Sequence, residues 1–555
     1  MTKIESCAVF YVSILLLLFL WWPPEVYTGL KWAANAFLFL FLLMAALGSD
    51  GSSASSARSA LKPVLAGSFF FIFLVVSTAA GVDAYRSAET LLGYSAVFAF
   101  AFGLRLVRGQ TLAGRLETIF LCVAAALGLY GLYQYVYLLP ELVASPEAWS
   151  GLSKDELFPV LTRMAGGRVF SRFALPSTFS CVLLAAVPFL DHRIRHSETL
   201  WPWSLLLLLT TLNLILARSF AAVLLFCLYW WADAWIRHPA ARWKVSAPAA
   251  AACVLAIFLL RPESLLDVSA PANPIVLRWA NWKVAVHEWM SAPWFGVGPG
   301  NFSLLFPAYT SGLTETRYAH GFHMTILAET GLAGLATAVA LLAYLAGWIR
   351  RAGPSTPALA SLALVLAYSL VDIVFELPSL SFLFFLLLGL TIPAPVEPGR
   401  SVRRAMAAFA AAGVAFSLVL YFADGYYEQG MNALTSTRSS RQTYQAAGRH
   451  FERAGRLWPA ARVDAARGQG ELALARVEHN LHRLNAALHH LTNAVAKSPA
   501  TVNYRVALAE TLLEMGDPAR ALIHFKEAAR LDPRGPHAGR YTKILLDQMP
   551  APPVP

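Results

Sequence analysis

The sequence predicts an all-α protein: a polytopic transmembrane helical bundle of about 12–13 spans in residues 1–424, then a soluble α-solenoid of helical repeats in 425–548. Three observations predict it. Hydrophobic residues are 57% of the chain and charged residues 14%, with a mean hydropathy of +0.53, far from the balance of a soluble domain. Apolar runs near bilayer length recur as far as residue 424. Beyond it the composition turns abruptly to Arg, His, Glu and Ala with helical periodicity.

Thirteen runs approach or reach the roughly 17–25 residues that cross a hydrocarbon core. They lie at approximately 8–22, 31–48, 64–81, 90–107, 117–139, 173–190, 200–217, 219–236, 245–260, 323–349, 357–376, 379–394 and 405–423. The first does not read as a cleaved signal peptide, because Trp21-Trp22-Pro23-Pro24 follows it with no small-x-small site. Lys and Arg collect in alternate loops: Arg58/Lys62, Arg105/Arg108/Arg115, Arg193/Arg195, Arg237/Arg242/Lys244, Arg350/Arg351 and Arg400/Arg403/Arg404. Placing these in the cytoplasm puts the N-terminus inside. Two long loops, about 140–172 and 261–322, then face outward, with everything after Asp424. The +11 formal charge belongs largely to these loops, so it argues for topology and not for nucleic acid. Cys7, Cys122, Cys181, Cys227 and Cys253 all sit in apolar stretches, with neither a disulfide framework nor metal-ligand spacing.

In the soluble part, three segments share a small-large-small-proline register: Ala447, Phe451, Ala454, Pro459; Ala487, Leu491, Ala494, Pro499; and Ala521, Phe525, Ala528, Pro533. The last two are 34 residues apart, and Gly516 fits the turn within the last. This register resembles the tetratricopeptide repeat, in which small residues let paired helices approach and Pro ends the second helix. Three such repeats make a small solenoid that binds a protein partner or leans on the membrane domain. The tail 549–555 reads as disordered.

The outer loop holds the chemistry. Leu277 to Met290 reads as a short interfacial helix with Trp282, Val286 and Trp289 on one face. A turn follows with Gly296, Gly298, Gly300, Asn301 and Phe302, whose glycines permit tight bends and whose amides can face an anion. It is not a dinucleotide fingerprint, since the spacing differs and Pro299 interrupts it. Then come His320, Gly321, Phe322 and His323, leading into a span with Glu329, Gly331 and Gly334.

Arg278, the Pro293–Phe302 turn, and His320 nine residues before Glu329-Thr330-Gly331 resemble the signature of the O-antigen ligase and O-antigen polymerase superfamily. The family's usual pattern has His-Asn, where this chain has His320-Gly321. Arg168-Val169-Phe170-Ser171-Arg172-Phe173 with Pro176, and Ala217-Arg218-Ser219, are similar to two further family segments, so the likeness covers roughly 90–395. It implies a GT-C-like bundle in a bacterial inner membrane, with the repeats periplasmic or extracellular. It also implies a metal-independent glycosyltransferase that moves a glycan from an undecaprenyl-diphosphate carrier to an acceptor hydroxyl, of a lipid A-core sugar or a growing polysaccharide. No cofactor is expected.

Physical chemistry suits these residue types to that reaction. Planar guanidinium groups bind diphosphates through paired, charge-assisted hydrogen bonds, which makes Arg278 and Arg218 the candidates, with Arg168 and Arg172 behind them. An arginine at a span end also snorkels to headgroups without any catalytic part. His320 is the candidate general base, since imidazole exchanges protons near neutrality. His323 beside it hints at metal, but no carboxylate pair or cysteine completes a ligand set. Gly296, Gly298, Gly300, Asn301, His323 and Glu329 are expected at the substrate. Glu329 is an intramembrane carboxylate, functional by default. Asp372 and Glu376 are secondary candidates that read more readily as structural ion pairs. The alternatives are a protein O-oligosaccharyltransferase, a transporter, and a plain anchor for the repeats. The spans show no internal repeat, and the polar residues concentrate in outer loops, which disfavours transport.

Overall fold

The computed structural model describes residues 3–48, 70–107, 110–145, 167–237, 273–310, 318–351, 356–391, 398–436 and 440–535, with scattered positions between 244 and 251. Most of the expected span 245–260, the tail 549–555, and loop residues 146–166, 261–272 and 311–317 lie outside the described residues. Among those described there is no strand. The helices are α1 Lys3–Leu16, α2 Lys31–Gly48, α3 Phe70–Ala80, α4 Ala84–Val107, α5 Gln110–Tyr133, α6 Leu139–Ala144, α7 Pro176–His196, α8 Trp201–Ala217 and α9 Phe220–Arg237. They continue with α10 Pro274–Ser291, α11 Phe302–Tyr309, α12 Phe322–Arg351, α13 Pro357–Ser369, α14 Pro378–Thr391 and α15 Arg400–Leu434. The last five are α16 Arg441–Leu457, α17 Ala461–Glu478, α18 Leu481–Lys497, α19 Val502–Glu514 and α20 Pro518–Leu531.

Among the described residues, six helical stretches are long and apolar enough to cross a membrane: Thr28–Gly48, Ala84–Val107, Leu112–Ala144, Phe220–Arg237, Phe322–Gly347 and Arg400–Leu434. Five shorter apolar helices accompany them, α3, α8, α13 and α14 among them. The expected run 357–376 is shorter as a helix: α13 ends at Ser369, and Asp372 and Glu376 fall in the connection to α14.

A helix apolar on every side belongs at the centre of a bundle. α14 is such a helix, buried at every position from Ser379 to Thr391, and α7 is buried from Thr178 to Asp191. Phenylalanines lock neighbours onto α14, with Phe382 stacked on Phe19 at 4.5 Å and Phe385 against Phe98 at 4.5 Å. At one end of the bundle, basic residues pair with acids from neighbouring helices: Arg193 with Glu117 at 2.9 Å, and Arg195 with Asp233 at 2.7 Å. The other end holds the starts of α4 and α7, the close of α8 and α13, and the C-terminal helices from α16 onward.

α15 packs along α2 and runs unbroken past residue 424 to Leu434, where α16 folds back on it. From α16 to α20 each helix packs on the next. All nine small-large-small positions, from Ala447 to Ala528, are fully buried between these helices. The array docks through Trp458, whose indole donates to Glu89 at 2.9 Å and packs edge-on against Tyr85 and Phe416. Arg462 bonds Glu89 at 2.9 Å and Asp424 at 2.6 Å, closing the joint.

Candidate active site

The glycine turn is interlocked with a break in α12. Gly331 has φ +67 inside α12, so the helix is interrupted there. The freed backbone groups bond the turn: Val297 N to Ala328 O at 3.0 Å, Gly298 N to Glu329 O at 2.9 Å, and Leu332 N to Pro293 O at 2.9 Å. Gly296 (φ +68) and Gly331 lie so close that a Cβ on either would fall on the other's backbone neighbours. Gly298 (φ +97) packs its backbone against Gly81, and Gly300 (φ +78) completes the bend. The amides of Gly296 and Gly298 are thus engaged with carbonyls, and these glycines shape the site instead of forming an open anion cradle.

Asn301 and Glu329 hold this knot together. Asn301 is fully buried, and its Nδ2 donates to Val297 O at 2.9 Å and Ser87 Oγ at 3.0 Å, tying the turn to α4. The Glu329 carboxylate accepts from Phe302 N at 3.3 Å, where a negative charge complements the N-terminus of α11.

The reactive candidates converge on Asp372. Arg278 Nη2 lies 3.1 Å from Asp372 Oδ2, and His320 Nδ1 lies 3.5 Å from Asp372 Oδ1. Asp372 is 3% exposed, whereas Arg278 and His320 keep part of their surface open, so the acid is the hub and the bases face outward. Burial opposes its ionisation, but the hydrogen bond from His320 and the Arg278 charge outweigh it and hold the Asp372 carboxyl below its usual range. The neighbourhood is fixed by α10, whose Asn273 caps it by accepting from Ile275 N at 2.9 Å. α10 presents Arg278 and Trp282 one turn apart, and Trp282 Nε1 donates to His320 O at 3.3 Å, holding His320 at φ +55. A Cβ at Gly321 would stand 3.0 Å from Leu370 O and 3.2 Å from both Trp282 Nε1 and His323, a tight fit that a side chain would enter only if these neighbours gave by a few tenths of an ångström. His323 packs its ring against Trp282 at 5.4 Å.

Arg218 reaches the same end by the backbone. It caps α8 with φ +48, and Arg168 Nε donates to Ala217 O at 3.1 Å, satisfying a carbonyl that the helix end leaves free. The next residue, Ser219, bonds Tyr368 OH at 3.1 Å, and Tyr368 O accepts from Asp372 N at 3.1 Å. Arg218 and Asp372 therefore hang on one post. Arg172 has other company: its guanidinium bonds Tyr27 OH at 2.6 Å and lies over the rings of Trp21, Tyr27 and Tyr130. Among the described residues no group of three or more His, Cys, Asp or Glu is arranged to hold a metal.

Asp372, a secondary candidate expected to complete an ion pair, has Arg278 as its partner at 3.1 Å. The available clue was an ionisable side chain at the end of an otherwise apolar run, which requires a partner. Residues 203–339, which include Arg218, Arg278, His320 and Glu329, match the family model described as O-Antigen ligase (Wzy_C). No curated protein matches the chain.

Proposed function

We propose, from the match of residues 203–339 to the O-Antigen ligase family model, a glycosyltransferase that moves a glycan from an undecaprenyl-diphosphate carrier onto a glycan hydroxyl, on the periplasmic side of the inner membrane. The observation that carries this reading is the convergence of Arg278 and His320 on Asp372. With Nδ1 of His320 toward Asp372, the ring keeps its proton there and leaves Nε2 to accept one. The acceptor oxygen attacks the anomeric carbon as its proton passes to His320. The bond from that carbon to the phosphate oxygen breaks, and its electron pair leaves on the lipid diphosphate. Arg278 and Arg218 stabilise the departing charge, so the step needs no metal and inverts the anomeric centre.

The periplasmic side is supported by the Arg193, Arg195 and Arg237 cluster at the opposite end of the bundle, which the positive-inside tendency assigns to the cytoplasm. The repeats, read as tetratricopeptide-like, then stand outside. Transfer by the purified full chain from a defined undecaprenyl-diphosphate glycan tests the proposal. Removing the base in His320→Ala is expected to cost about 10²–10⁴-fold in kcat. Losing a charge donor in Arg278→Ala or Arg218→Ala is expected to cost about 10²–10³-fold. Undiminished transfer in all three would end the proposal.

A further inference from the structure

α10 buries a carboxyl group that the transfer step does not use. The buried face of this helix runs Asn281, Val284, Ala285 and Glu288, the spacing of one helix side. Val284 and Ala285 pack with Phe302 and Phe306 of α11, Ala328 of α12, and Ala319, the residue before His320. Glu288 continues that seam by one turn and is 0% exposed. Neither of its carboxyl oxygens has a hydrogen-bond partner among the described residues.

Its surroundings oppose a charge. The charged group that acts on it is Glu329 of α12, of like sign. Glu288 also stands in the last turn of α10, where the helix dipole disfavours an anion. The cations of the neighbourhood are engaged elsewhere: Arg278 with Asp372, Arg86 with Ser303 Oγ, and Lys283 over the ring of Trp279 at 5.7 Å. His287 turns its ring to Tyr309 of α11 at 5.7 Å, and His323 of α12 turns its own to Trp282. Burial, then the Glu329 charge, push the Glu288 carboxyl well above the usual glutamate range. The folded chain therefore keeps a proton that the unfolded chain gives up near about 4.3, and rising pH weakens the fold at this seam.

A buried ion without a donor is far less stable than a buried neutral acid, so losing the proton to solvent drives the side chain out. The face that holds Glu288 also aims the site, because Arg278 lies ten residues earlier on α10 and Ala319 ties the seam to His320. We propose that Glu288 is a positioning residue that works only as a neutral acid. Protonated, it seats α10 on α11 and α12 with Arg278 and His320 in register at Asp372. Ionised, it leaves the seam and unseats both. The transfer step has no alkaline limit of its own, since a histidine base stays neutral and guanidinium groups stay charged as pH rises.

The effect on turnover rests on the transferase reading, so the test includes two readouts that do not. The full chain in nanodiscs is compared with Glu288→Gln and with Glu288→Met, neither of which ionises; methionine fills the space without a polar end, should the glutamine variant fail to fold. Infrared difference spectra of wild type minus variant should show the carbonyl band of a neutral carboxylic acid, fading as pH is raised. Backbone hydrogen exchange in α10 should quicken over the same interval beyond its ordinary base-catalysed rise, in the wild type alone. Over that interval kcat should fall about tenfold per pH unit in the wild type and stay level in the variants. No acid band at neutral pH, exchange that rises alike in all three proteins, or one shared pH profile of kcat would overturn the proposal. The expected band and exchange in a wild type that transfers nothing would leave the Glu288 seam standing and remove the transferase.

Discussion

Gly296 and Gly331 face each other with left-handed backbones, and the space a Cβ on either would need is filled by the backbone of the two residues before the other. The consequence is a glycine requirement at two points 35 residues apart in the chain. Gly296→Ala or Gly331→Ala must distort both the turn and the helix break, at about 1–3 kcal/mol for the backbone alone. A thermal melt of either variant should fall well below wild type, with transfer lost in the protein that remains folded. A melt unchanged from wild type would contradict the interlock.

Asp372→Asn keeps the shape and removes the charge that fixes His320 and Arg278. Transfer should fall about 10²–10⁴-fold in kcat, since the base loses its orientation, while donor KM changes little. A structural ion pair would instead lower the melting temperature and spare the turnover of the folded fraction.

Arg172 and Arg168 separate cleanly. Arg172→Ala empties an aromatic enclosure and should cost stability, about 1–3 kcal/mol, without slowing transfer per folded molecule. Arg168→Ala releases the carbonyl that anchors the Arg218 turn and should lower kcat with a small change in melting. The reverse pattern would exchange their roles.

Helices α16–α20 carry their own acid sensitivity. Burial, then the Arg467 charge, pushes His490 down to about 4. The unfolded chain protonates a histidine near 6.5, so between those values the unfolded state holds the extra proton. Stability is full above about 6.5 and falls as pH drops toward about 4. Hydrogen exchange in α17 and α18 should quicken over that window, and His490→Asn should flatten the dependence.

Arg462→Ala would leave Glu89 and Asp424 without their shared cation at the docking joint. Limited proteolysis should then release the repeats faster, at a cost of about 1–3 kcal/mol to the joint. Cleavage at the wild-type rate would show that the joint holds without Arg462, through Trp458 and the Lys497–Tyr85 contact.

Hydropathy located the helices because each apolar face needs a neighbour or lipid, and burial of Ala447, Phe451 and Ala454 follows from the same spacing argument. The expected helix Leu277–Met290 emerges as Pro274–Ser291, extended by the Asn273 cap. What the sequence concealed was pairing across distance. Asp372 meets Arg278 across 94 residues, and no local pattern records that. Gly331 reads like any close-packing glycine until the turn that occupies its break is known. Arg172 and Arg278 look alike as span-end arginines, and only the aromatic rings around one and the carboxylate beside the other tell them apart.

α15 has 35 residues, and at about 1.5 Å per residue it is roughly 52 Å long, against about 30 Å of hydrocarbon. Some 20 Å of it can stand clear of the lipid like a mast, setting the height at which the repeats sit. Lengthening that mast by one turn would raise the roof about 5 Å with its heading nearly kept, whereas two added residues would swing it to the opposite side. The height of that roof is thus written in the length of a single rod.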